Sequence, residues 1–137
     1  MNAFVILATI AWGLWGFCQK NASGRMSVVD VQFASFICGI FVMPLYFQFE
    51  RHDWTLKGVD PKGFAWACAA HILSVSASYF YLRALKTAAL STVTLTTSVY
   101  PVVTIALAIL FLGERITIGK ALGIPVVIFG VWLFGRN

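Results

Sequence analysis

The chain has 137 residues, of which 60% are hydrophobic and 11% charged, with a mean hydropathy of +0.85. That leaves too little polar surface to coat a water-facing globule, and it specifies an integral membrane protein. The net charge of +5 does not signal nucleic acid, because the Lys and Arg residues lie scattered through short connections and the ends of apolar runs.

About twenty apolar residues make one helical crossing, since a helix rises ~1.5 Å per residue and the hydrocarbon core is ~30 Å thick. On this measure the sequence predicts an all-α polytopic protein with five transmembrane helices in one domain covering 1–137. The spans are predicted at about 3–19, 30–49, 63–83, 88–113 and 116–135.

The first span has no Lys or Arg ahead of it and a bulky core around Trp12 and Trp15, so it reads as a retained helix and not a cleaved leader. Gly13 and Gly16 permit close helix approach, and Lys20 follows one turn after Gly16 on the side of Trp12. Lys20 either snorkels to the headgroups or meets an anion, and the tryptophans either line a path or pack. The connector ERHDWTLKGVDPK mixes both charge signs with turn residues and one interfacial aromatic, Trp54, and reads as a solvated link.

The third span carries His71, Ser74, Ser78 and Tyr81 at i, i+3, i+7 and i+10, a single polar stripe. An ionisable residue at mid-span suggests a functional pathway, and its alternative is a neutral His bonded to Ser74 or to a backbone carbonyl. No acidic residue lies at that depth, because Asp30, Glu50, Asp53, Asp60 and Glu114 all fall at span ends or in loops. Proton antiport through a buried carboxylate is thereby disfavoured.

The run from Thr87 to Gly113 contains no charge, yet Leu90 to Val103 holds six Ser/Thr hydroxyls, a Tyr and a Pro. Ser91, Thr94 and Ser98 share one stripe, whereas the later half is almost wholly apolar. Pro101 lacks an N–H and clashes with the carbonyl of Thr97, which predicts a kink between the two halves and a hinge at Pro101. The hydroxyls form either a cavity wall or helix–helix glue with local backbone bonding. In the fifth span Gly119, Gly123 and Gly130 mark a close-packing edge and a candidate dimer seam.

The cysteines, Cys18, Cys38 and Cys68, have no metal-ligand spacing and read as packing residues. There is no phosphate loop, no paired carboxylates and no catalytic constellation, so the expectation is a non-enzyme with no cofactor, no metal and no nucleic-acid partner. Lys and Arg count equally by side. Arg51, Lys57, Lys62, Arg115 and Lys120 fall with the N-terminus, and Lys20, Arg25, Arg83, Lys86 and Arg136 fall opposite. Balanced counts permit insertion in both orientations, while discounting Lys20 and Arg83 leaves a weak preference for a cytoplasmic N-terminus.

Several residues together resemble the EamA-type half of the drug/metabolite transporter superfamily. They are Ala84 and Leu85, the hydroxyl-rich stretch with Ser98 and Pro101, then Leu112, Gly113, Glu114 and Arg115, then Gly123, Gly130 and Val131, with Trp12, Gly13 and Lys20 in the first span. Lys120 departs from that pattern, where an uncharged polar residue is usual. The resemblance implies a single five-span unit of a fold more often built from two inverted units, and therefore an antiparallel homodimer or a heterodimer with a homologous half. It further implies movement of a small organic metabolite or drug across a bacterial cytoplasmic (inner) membrane by alternating access.

On that reading Trp12, Trp15, Lys20, His71, Ser74, Ser78, Tyr81, Ser91, Thr94 and Ser98 line the solute path, with walls from the first, third and fourth spans. The sparse charge within the spans favours a neutral, zwitterionic or aromatic solute. The alternative is a non-transporting membrane subunit that packs against a larger complex.

Overall fold

A computed structural model describes residues 3–50 and 60–134. The connector expectation at 51–59, Trp54 included, lies outside the described residues, as does Arg136. The described residues are helical with no strand: α1 Ala3–Ser23, α2 Val28–Glu50, α3 Pro61–Thr87, α4 Leu90–Thr97, α5 Tyr100–Leu112 and α6 Ile118–Phe134. The protein is an all-α polytopic membrane protein. Both Val28–Tyr46 and Leu90–Leu112 are long and apolar enough to cross a bilayer, α6 is apolar and shorter, and α1 and α3 have 21 and 27 residues. The chain divides into two compact units, 1–87 and 88–137.

In the first unit α1, α2 and α3 pack pairwise. Each helix begins on a local signal. Ser27 caps α2, its Oγ accepting from the Asp30 amide at 3.2 Å while donating to Asp30 Oδ2 at 2.6 Å. Asp60 caps α3, its Oδ2 accepting from the Gly63 amide at 2.7 Å, and Pro61 opens the helix where its missing N–H costs nothing. The first helix runs to Ser23, a turn past the predicted span, because Asn21 Nδ2 donates to Phe17 O and Ser23 Oγ to Lys20 O. These side-chain bonds add to the backbone bonds of the last turns, where the Gly24 amide also donates to Lys20 O at 3.1 Å.

The packed centre of this unit is small: Val28, Val31 and Leu82, with Leu85 also buried. Most large apolar side chains face outward, as expected where lipid tails are as apolar as a protein interior. The three cysteines are exposed too, against the expectation that they pack. A thiol behaves as a small hydrophobe, so facing outward in an apolar medium costs it little.

In the second unit α4 packs against α6. The charge-free run does more than kink: α4 ends at Thr97, Ser98 and Val99 form a turn, and α5 restarts at Tyr100 with Pro101 in its first turn. A proline is tolerated there because that N–H lacks a helical partner anyway. Gly113 ends α5 with φ 66°, a left-handed conformation open to glycine, and the Glu114 amide folds back to Ala108 O at 3.2 Å. Thr117 then starts α6, its Oγ1 accepting from the Lys120 amide.

Candidate functional site

In the first unit two contacts gather the polar residues of different helices. On the α1–α3 side the indole of Trp15 stacks on the ring of Tyr81, with centroids 5.2 Å apart and planes inclined at 29°. One turn further along α1, Lys20 Nζ donates to Leu85 O at 2.5 Å. Leu85 lies in the last turn of α3, where carbonyls have no partner within the helix, and a cation is favoured at such an end by the helix dipole. To the two roles open to Lys20 in sequence, snorkelling and meeting an anion, the structure adds a third. Lys20 caps α3.

On the α2–α3 side Ser78 Oγ donates to Gln32 Oε1 at 3.2 Å, and Gln32 Nε2 donates to Val75 O at 3.3 Å. Ser78 and Tyr81 therefore come to the helix contacts, whereas His71 and Ser74, earlier on the same stripe, are exposed with no hydrogen bond between them. Trp12 points away as well, 65% exposed against 40% for Trp15.

A groove of about 410 Å³ opens beside Trp15, between α1 and α2, walled also by Gln19, Cys18, Met26, Ser35 and Cys38. That is the size of a small-molecule site, apolar on most sides with a few polar groups. Gln19, 5% exposed, and Gln32 are missing from the sequence-based site. The signal available was a neutral amide inside an apolar helix, which must find a partner there.

In the second unit the hydroxyls divide by role. Thr97 Oγ1 donates to Val93 O at 2.8 Å and Ser98 Oγ to Leu95 O at 2.6 Å, which ties down the last turn of α4 at the break. The Ser98 amide is shared between Thr94 O and Leu95 O. Ser98 therefore keeps only acceptor capacity, while Ser91 and Thr94 are exposed on α4. Lys120, unusual for its position, pairs with Glu114 at 3.7 Å. A Cβ built on Gly13, Gly119, Gly123 or Gly130 meets no atom within 4 Å, so those surfaces are open, whereas Gly16 is buried.

A family model described as the EamA-like transporter family matches residues 1–136. The chain belongs to that family. Comparison with curated proteins and with solved structures returns no match.

The EamA-like match covers both compact units, so the helix break and the Trp15–Tyr81 pair lie within one family unit. Membership makes the chain an integral membrane protein of a drug/metabolite transporter family. Among the described residues no group of three His, Cys, Asp or Glu side chains is placed to hold a metal ion.

Proposed function

We propose that this EamA-like chain moves a small organic metabolite or drug across the membrane by alternating access, working as an antiparallel dimer. The observation that carries the reading is the Trp15–Tyr81 stack, set beside a ligand-sized groove. Because the groove wall carries no charged side chain, the solute class it suits is neutral or zwitterionic with a flat ring. Such a ring gains stacking energy on indole without needing a counter-charge.

The break at Ser98 and Val99 supports a bending element, because discontinuous membrane helices recur where transporters open and close. Pro101 has no N–H to offer Thr97 O, so the backbone bond that would brace the helix across the break is missing. Of the residues read from sequence as lining a path, His71 and Ser74 are exposed in the first unit and Ser91 and Thr94 in the second.

The dimer rests on arithmetic and on open surface. Five crossings supply one repeat, the balanced Lys and Arg count permits both orientations, and Gly119, Gly123 and Gly130 leave α6 free for close approach. The test is a pair of C-terminal fusions, one reporting only in the cytoplasm and the other only outside it. Signal from both supports two antiparallel copies. Signal from one alone removes the homodimer and points to an oppositely inserted partner chain.

A further inference from the structure

A second groove, of about 540 Å³, lies between the first turn of α2 and the last turns of α3. Its walls include Ser27, Val29, Tyr79, Arg83, Lys86 and Thr87. Tyr79, Arg83 and Lys86 follow at i, i+4 and i+7, a different stripe of α3 from the one that carries Ser78, Tyr81 and Leu85. The groove is therefore separate from the proposed solute surface.

Two cations share this stripe. Lys86 Nζ donates to Met26 O at 2.6 Å, which holds the ammonium over the link between α1 and α2 and leaves it two further donors. Arg83 is exposed and brings a planar fork suited to a phosphate. The nearby carboxylate, Asp30, accepts from Ser27 Oγ at 2.6 Å and is not part of the groove wall. The Val28 and Val29 amides open α2, where helical donors lack partners and an anion is favoured.

We propose that this groove binds the phosphate of an anionic phospholipid headgroup. The level is that of a membrane boundary, since α2 begins and α3 ends there, and Tyr79 supplies the amphipathic ring common at that depth. Val29 is 67% exposed and offers the start of an acyl chain an apolar surface. Basic pockets between helix ends are a recurrent way of holding acidic headgroups.

The test uses the full chain in phosphatidylcholine nanodiscs, titrated with phosphatidylglycerol and read by native mass spectrometry of the lipids retained. Arg83→Gln is expected to weaken retention about fivefold and Arg83→Gln with Lys86→Gln about 30-fold. The pair Lys62→Gln with Arg115→Gln, an equal change of charge elsewhere, is expected to change it less than about twofold. Because Lys86 also holds Met26 O, the Arg83 variant alone decides the matter if the double variant loses helicity. Three results overturn the proposal: equal retention of phosphatidylcholine, an equal loss in the Lys62/Arg115 control, or displacement of the lipid by inorganic phosphate at matched concentration. The last would make the groove a site for soluble anions.

Discussion

Lys20→Met keeps most of the side-chain volume and removes the donor to Leu85 O, a group at a residue 1% exposed. In water, orphaning a buried acceptor costs about 1–3 kcal/mol. Between membrane helices the measured scale is lower, about 0.6 kcal/mol on average and about 1.7 at most, because separated helices find other partners. Lys20 is only half-buried, so its cation keeps part of its solvation and the upper figure is not reached. The expected loss is about 0.5–1.5 kcal/mol in the association of α1 with α3. It is read by SDS titration in mixed micelles, following helical circular dichroism. Lys20→Arg should retain most of the stability. Lys86→Met is the comparison, since its acceptor Met26 O sits in an exposed turn that water can reach, and its loss should stay below about 0.5 kcal/mol. An unchanged Lys20→Met midpoint, or a larger loss for Lys86→Met, would refute the capping argument.

Leu82, 0% exposed, anchors the small core, yet Leu82→Ala should cost only about 0.3–2.6 kcal/mol in the same assay. The figure is the ~2.7–5.0 kcal/mol seen in water less ~2.4 for transferring three carbons, a gain that lipid already provides. A loss above about 4 kcal/mol would mean that Leu82 meets water when the helices separate. Thr94→Val with Ser98→Val should abolish solute flux while insertion and assembly persist, and preserved flux would reduce the stretch to packing. The C-terminal fusions should report on both sides of the membrane, as two orientations require.

Much of the fold is legible in the sequence because the bilayer imposes lengths. Apolar runs near twenty residues give the helices, and Asp60 with Pro61, Ser27 with Asp30, and Gly113 mark ends by local chemistry alone. Pro101 signals trouble in the fourth span, but the break itself falls at Ser98 and Val99. Several residues before a proline feel its ring and its missing donor, and the Thr97 and Ser98 hydroxyls secure the last turn of α4 there through Val93 O and Leu95 O.

The candidate site is less legible. That Trp15 meets Tyr81 while Trp12 faces outward depends on the rotation of α1 against α3, which two tryptophans three residues apart do not decide. Lys20 capping Leu85 O joins residues 65 apart, beyond any local pattern. Gln32 is not legible in the sequence because an isolated amide has no motif, only an obligation to bond, and its partners Ser78 and Val75 O are set by helix packing. The outward-facing cysteines show the same limit from the other direction, since hydropathy alone does not separate a lipid-facing residue from a packed one.

On the proposed function a solute crosses by way of the surface around Trp15. The most direct measurement is release from proteoliposomes loaded with a mixture of small metabolites, with the external medium followed by mass spectrometry. The expected result is a saturable release of at least one ring-bearing neutral or zwitterionic solute, lowered about tenfold by Trp15→Ala and left nearly unchanged by Trp12→Ala. Release no different from protein-free liposomes, or equal sensitivity to the two tryptophans, would contradict it.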